Sequence, residues 1–252
     1  MDKQEKVNKV KIPSSLELAQ AGVHIGHRTT KRSPKMEPYI YGIKNTVHII
    51  DLDKTIEKLE AAIKFLTEAM SQNKIVLYVG TKPSAKDIIK KYSQEIGAPY
   101  VIERWLGGTL TNFSTILSLI EKLNKMIEEK EKGDWEKYSK KERLIKEREM
   151  KRLETMVGGM KSLKRKPDII YLVDLQKEKT AIRETKKCKI PVIAMVDTNA
   201  NPELVDWPIP SNDDAVKSID LITNLVTEAV KLGQAHLEEK EETKEEKNKN
   251  KE

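Results

Sequence analysis

Five short apolar runs constrain the fold of this 252-residue chain more than any other feature: Val47–Ile50, Ile75–Val79, Tyr100–Ile102, Ile169–Val173 and Val192–Val196. Each is rich in Val, Ile or Tyr and apolar on both sides, as strands are when helices cover both faces of a parallel sheet. The stretches between them are amphipathic. Asp53–Ser71 sets Ile56, Leu59, Ile63, Leu66 and Met70 three and four residues apart, and Ser84–Ile96 opens on Ser84-x-x-Asp87 and stops at Gly97. Strand and helix in alternation, joined by right-handed crossovers, predict an α/β three-layer sandwich around a mainly parallel sheet.

One crossover is too long for that pattern. More than sixty residues separate Tyr100–Ile102 from Ile169–Val173, where a helical crossover needs roughly a dozen. Ile116, Ile120, Leu123 and Ile127 repeat at four-three-four, and Leu153, Met156, Met160 and Leu163 at three-four-three, the spacing of a coiled-coil seam. Gly133-Asp134 breaks the chain between them and Ser139-x-x-Glu142 restarts a helix, which predicts an antiparallel hairpin in preference to one kinked helix. The expected organisation is a core of residues 1–112 and 164–237, a hairpin insertion at 113–163, and a tail at 238–252. That tail holds seven Glu and five Lys with no apolar residue, so it is expected to be disordered.

The tail's −2 leaves +9 on residues 1–237, out of +7 for the whole chain. A basic body suits a polyanion, RNA first among candidates. No apolar run is long enough to span a membrane, and MDKQEKVNKVK lacks the centre of a signal peptide, so the expected location is cytoplasmic. The single cysteine, Cys188, has no disulfide or Cys-x-x-Cys partner and reads as structural.

Basic residues cluster in the loop before Val47, at Arg28, Lys31, Arg32, Lys35 and Lys44. Gly80-Thr-Lys-Pro-Ser84 opens a helix after a strand, a place where phosphates bind. It lacks the ending of a P-loop, so Lys82 meets an RNA phosphate or Ser84 caps a tight turn. Arg104-Trp105 precedes two glycines and offers a stacking platform, unless Trp105 buries against the hairpin root. Lys164, Arg165 and Lys166 form a further basic run. His24 and His27 would share a face of a helix. With carboxylates from Asp197, Asp213 or Asp214 they are candidates for a divalent ion such as zinc, the named set being His27, Asp197 and Asp213. The competing reading makes the histidines hydrogen-bond donors and Asp213 a helix cap. Ser84 and Cys188 have no recognisable catalytic partners, so no catalysis is assigned; the alternative is a metal- or nucleotide-dependent α/β enzyme with its site at the carboxyl edge of the sheet.

Several segments together carry a family resemblance: Ala21-Gly-Val-His-Ile-Gly-His27, Pro34-Lys-Met36, Pro38-Tyr-Ile40, Arg104-Trp-Leu-Gly-Gly-Thr-Leu-Thr-Asn-Phe113, Gly158-Gly159, Pro191 to Asn199, and Asn212-Asp-Asp-Ala215. From about Ser14 to Gly233 the chain resembles the bacterial ribosomal protein S two family. The resemblance implies a flavodoxin-like core with a coiled-coil insertion and a structural place in the small ribosomal subunit. Implied partners are small-subunit rRNA and neighbouring ribosomal proteins, including the mRNA-binding ribosomal protein S one, with no small-molecule substrate and no required cofactor. Arg32 and Ser33 stand where bacterial relatives usually carry Trp-Asn, and Ser211 where a glycine is common. An arginine there can still stack its planar guanidinium and adds a phosphate contact, but the specifically aromatic role of the family does not carry over to Arg32.

Overall fold

The computed structural model of the chain describes residues 10–249. Residues 1–9 of the expected core and 250–252 of the expected tail lie outside the described residues. A five-stranded parallel sheet forms the centre, in the order β5-β4-β6-β7-β8, built from β4 (Val76–Val79), β5 (Tyr100–Val101), β6 (Ile169–Val173), β7 (Val192–Val196) and β8 (Trp207–Pro210). Of the five apolar runs expected as strands buried on both faces, three are the inner strands β4, β6 and β7, with every residue buried, while Tyr100–Ile102 supplies only the short edge strand β5, where Tyr100 is half-buried.

Alternation along those strands divides the interior in two. Tyr78, Tyr171 and Met195 face one core with α2 (Leu52–Met70), α3 (Pro83–Glu95) and α7 (Val216–Lys249). Leu77, Leu172 and Ala194 face the other, with α6 (Lys179–Cys188) and the near ends of α4 (Phe113–Glu131) and α5 (Lys140–Val157). Each fully buried Leu or Ile contributes roughly 1.5–3 kcal/mol. The two buried tyrosines keep their hydroxyls paired, Tyr171 with Thr223 at 3.0 Å and Tyr78 with Thr227 at 3.3 Å. Among the described residues no helix is long and apolar enough to cross a membrane.

Val47–Ile50 does not belong to the parallel sheet. It is β3, the middle strand of a separate antiparallel sheet in the order β1-β3-β2, with β1 (Ile25–Arg28) and β2 (Ile40–Lys44). A run of four apolar-looking residues does not distinguish burial on two faces from burial on one; here His48 and Ile50 are buried while Val47 and Ile49 are half-buried. The fifth parallel strand is instead β8, which two prolines kept from being recognised. At a sheet edge Pro208 and Pro210 need no partner on the outer side. Helix α7 runs from Val216 to Lys249, and its Glu and Lys residues are good helix formers.

In the long crossover, α4 and α5 lie against each other, linked by Lys122–Glu149, Lys146–Glu129 and Lys130–Glu147 ion pairs. Gly133 takes the left-handed turn between them at φ +77°, and the Ser139/Glu142 capping box starts α5 as expected. The other expected start differs. Helix α3 begins at Pro83 with Lys82 at its N-cap, and the Ser84 hydroxyl is buried without a partner.

Candidate nucleic-acid interface

The small antiparallel sheet presents a basic rim. Register places Arg28 and Lys44 on either side of Val47, and Thr29 N–H donates to the Thr46 carbonyl at 2.9 Å, closing the sheet end. Arg28, Lys31 and Lys44 are exposed, with no carboxylate at ion-pair distance among the described residues. Arg32 pairs with Glu37 and Lys35 with Glu203. Both pairs are exposed, where such contacts are worth little, so those cations remain displaceable. Arg104 is also exposed, with no carboxylate at ion-pair distance among the described residues.

This rim is fastened to the parallel sheet through the loop after β7. His27 N–H donates to the Thr198 hydroxyl at 2.9 Å, and Ser33 N–H to the Thr198 carbonyl at 2.8 Å. Gly26 permits the approach, because a Cβ there would lie 2.5 Å from the Thr198 methyl. His27 Nδ1 sits 3.0 Å from Asp197 Oδ2, and its Nε2 sits 3.3 Å from Asp214 Oδ2 and 3.1 Å from Asn199 Nδ2. Contact with Asp197 raises the His27 pKa against the opposing effect of burial. At 3.0 Å the imidazole and the Asp197 carboxylate, itself 1% exposed, are at hydrogen-bond distance.

Two candidates leave their predicted roles here. Lys82 is largely buried among Asp213 at 2.7 Å, Asp214 at 2.5 Å and Asp174 at 3.5 Å. Burial opposes its charge, yet those carboxylates outweigh burial and keep the ammonium protonated. A phosphate entering at α3 would face three aspartates, which excludes Lys82 from the RNA-facing set and removes the basis for a nucleotide site. Asp213 is thereby Lys82's partner, outside the metal set. Burial, then Asp197 and Asp174, push its pKa up to about 7, with Lys82 pulling the other way. The residue that completes the group around His27 is Asp214: one atom each from His27, Asp197 and Asp214 lie within 4.8 Å of one another. Burial acts against the Asp214 charge, but Lys82 and His27 hold its pKa below the usual range. His24 stands apart: it lies in the turn before β1, not on a shared helix face with His27, and its Nδ1 is buried without a hydrogen-bond partner among the described residues. Asn212, rather than Asp213, accepts the N–H groups of Asp214 and Ala215 at 2.8 and 3.1 Å before α7.

Trp105 is no stacking platform. It is 6% exposed and its Nε1 donates to Glu184 at 3.2 Å. Glu184 on α6 also accepts backbone N–H groups from Gly108, Leu110 and Thr111 at 2.8, 2.9 and 3.2 Å. Burial opposes its ionisation, but these donors together hold its carboxyl below the usual range. One carboxylate thus fixes the loop that launches α4. Nothing local marks Glu184 in the sequence; its partners lie more than seventy residues away.

The family described as Ribosomal protein S2 matches residues 18–233. Curated relatives named "Small ribosomal subunit protein uS2" include one from Coprothermobacter proteolyticus, 47% identical over 86% of this chain and 81% of the relative. Another, from Dictyoglomus thermophilum, is 45% identical over 89% of this chain and 91% of its own length. A third, from Wolinella succinogenes, is 44% identical over 87% and 81%.

Proposed function

Because the chain belongs to the ribosomal protein S2 family and is a structural, non-enzymatic constituent of the small ribosomal subunit in the cytoplasm, we propose that its antiparallel sheet is the face it turns to rRNA. The observation that carries this is the exposed trio Arg28, Lys31 and Lys44, none with a carboxylate at ion-pair distance among the described residues and only Lys31 acting on an internal acid, Asp214, through space, on a rim anchored by Gly26, His27 and Thr198. Cations free of internal partners release counterions on meeting phosphates, whereas Lys82 does not. Arg32, Lys35 and Arg104 extend the same surface.

The finer organisation belongs to the same proposal. Residues 113–163 form an antiparallel coiled-coil appendage on a flavodoxin-like core, supported by the ion pairs that run in opposite order along α4 and α5. Neighbouring ribosomal proteins, the mRNA-binding ribosomal protein S one among them, meet the exposed apolar residues Tyr41 and Ile43 of β2. Sucrose-gradient sedimentation of tagged protein tests the assignment. Wild type comigrates stoichiometrically with small subunits, and the Arg28→Ala/Lys31→Ala/Lys44→Ala variant is depleted; equal occupancy by the variant removes this rim from the binding surface.

A second reading concerns a divalent ion such as zinc, held by His27, Asp197 and Asp214. Its support is the convergence of one atom each from His27, Asp197 and Asp214 within 4.8 Å, beside a carboxylate that is 1% exposed. Elemental analysis of dialysed protein, with proteolysis near Arg28 before and after chelation, tests it: no metal and unchanged cleavage rule the ion out.

A further inference from the structure

We propose that the amino edge of the parallel sheet carries a second contact for the RNA backbone, in a cleft between the loop before β6 and the turn before β7. This rests on the reading of the chain as an rRNA-binding subunit constituent, and adds a surface on the opposite edge of the sheet from the His27–Asp197 anchor. β6 and β7 are parallel neighbours, with Ile170 opposite Val192. Their leading segments therefore lie side by side and bring Arg165 and Lys166 next to Lys187 and Lys189, with Lys164 and Lys186 their neighbours in sequence. Between them opens a cleft of about 600 Å³, whose lining includes Lys166, Lys187, Cys188 and Lys189.

The four cations that line the cleft meet one acid there, Asp168, and it is already committed. Asp168 binds Arg165 at 2.8 Å and the Ile75 N–H at 2.8 Å. None of the five lysines has a carboxylate at ion-pair distance among the described residues, so they repel one another in the free protein. Lys186 and Lys187 also lie in the last turn of α6, where cations offset the negative helix end. That does not account for Lys189, which lies past the helix end, or for the Lys164–Lys166 run, which belongs to another segment. Lys189 carries an independent sign. It adopts φ +55°, the left-handed conformation that glycine occupies at most helix ends. A lysine in a position that disfavours any side chain lines the cleft, and strain of this kind collects at functional sites. The cleft offers long flexible cations without an exposed aromatic or aliphatic anchor, so it suits successive phosphates better than a protein surface.

Cys188, the sole cysteine, lines this cleft and is partly exposed, which makes it a built-in reporter. Alkylation by N-ethylmaleimide is compared between the free full-length chain and small subunits that carry it. The expected result is at least tenfold slower labelling in the particle, restored by ribonuclease digestion. In a binding titration, Lys164→Ala/Lys166→Ala/Lys187→Ala/Lys189→Ala should flatten the log–log salt dependence by about three units, with the circular dichroism spectrum unchanged. Lys189→Gly should melt no lower than wild type while losing part of the affinity. Equal labelling in particle and free chain overturns the proposal, and protection that survives ribonuclease assigns the cleft to a protein neighbour, which overturns it equally. If the chain fails to sediment with small subunits, the ribosomal reading falls and takes this site with it; sedimentation with freely labelled Cys188 removes the second contact alone.

Discussion

The two edges of the parallel sheet hold lysines of opposite meaning. At the carboxyl edge Lys82 is enclosed by Asp174, Asp213 and Asp214. At the amino edge Lys164, Lys166, Lys187 and Lys189 have no carboxylate at ion-pair distance among the described residues. Both groups count equally toward the net charge of +7. Only the second extends a field into solvent, because charge matched at short range is cancelled before it reaches a partner. Basic composition therefore points to a polyanion, while the pattern of internal partners decides which cations meet it.

The largest expected effect breaks this comparison at its buried end. Lys82→Ala removes the ammonium shared by three carboxylates and leaves Asp213, 1% exposed, to fold protonated or as an uncompensated charge; since its pKa is already pushed up to about 7, the cost in chemical denaturation should grow with pH, reaching about 3–5 kcal/mol above pH 7 and falling below it. Its rRNA affinity, measured under folding conditions, should not move. Reduced affinity at unchanged stability would make Lys82 a phosphate contact after all.

Next in size is the Glu184 clamp. Glu184→Gln replaces a charged acceptor that gathers three backbone N–H groups, and should cost about 1.5–3 kcal/mol. The pH dependence has a definite sign. The folded-state pKa lies below the ordinary value, so the contribution is present above about pH 4.3, the unfolded value, and is lost as pH falls through the lower folded value. Hydrogen exchange at Gly108, Leu110 and Thr111 should quicken across that acid window in wild type and be insensitive to it in the variant; an acid-insensitive wild type would contradict the clamp.

The smallest stability effect belongs to the exposed rim. Arg28→Ala/Lys31→Ala/Lys44→Ala should change stability by no more than about 0.5 kcal/mol per site, yet flatten the salt dependence of rRNA binding by about two to three log–log units. A variant that unfolds readily would show that the rim holds the small sheet together instead of reaching outward.

Much of this architecture was legible from spacing. The three–four repeats in α2 and α4, the capping box at Ser139 and the apolar runs of β4, β6 and β7 are local signals, and the structure places them as read. What escaped depends on partners distant in sequence. Val47–Ile50 has the composition of a central strand, and its place beside β1 and β2 is set by packing against the core. Pro208 and Pro210 hide β8, because the sequence does not say that the strand is an edge. Lys82 looks like a phosphate ligand until Asp174 and Asp213 arrive from β6 and from the loop after β8. Trp105 was weighed as platform or buried root, and its hydrogen bond to Glu184, seventy-nine residues on, decides for the root. Asp213 and Asp214 are adjacent, and only the fold shows which turns to Lys82 alone and which also reaches His27.

Lysine acylation read by mass spectrometry, on free protein and on intact small subunits, tests the division of charge most directly. The expected result is strong protection of Lys31, Lys44, Lys166 and Lys189 in the particle, with Lys82 poorly reactive in both states because its ammonium is enclosed. If Lys31 and Lys44 label in the particle as fast as in the free chain, or Lys82 is the lysine whose reactivity falls, the assignment of outward and inward charge is wrong.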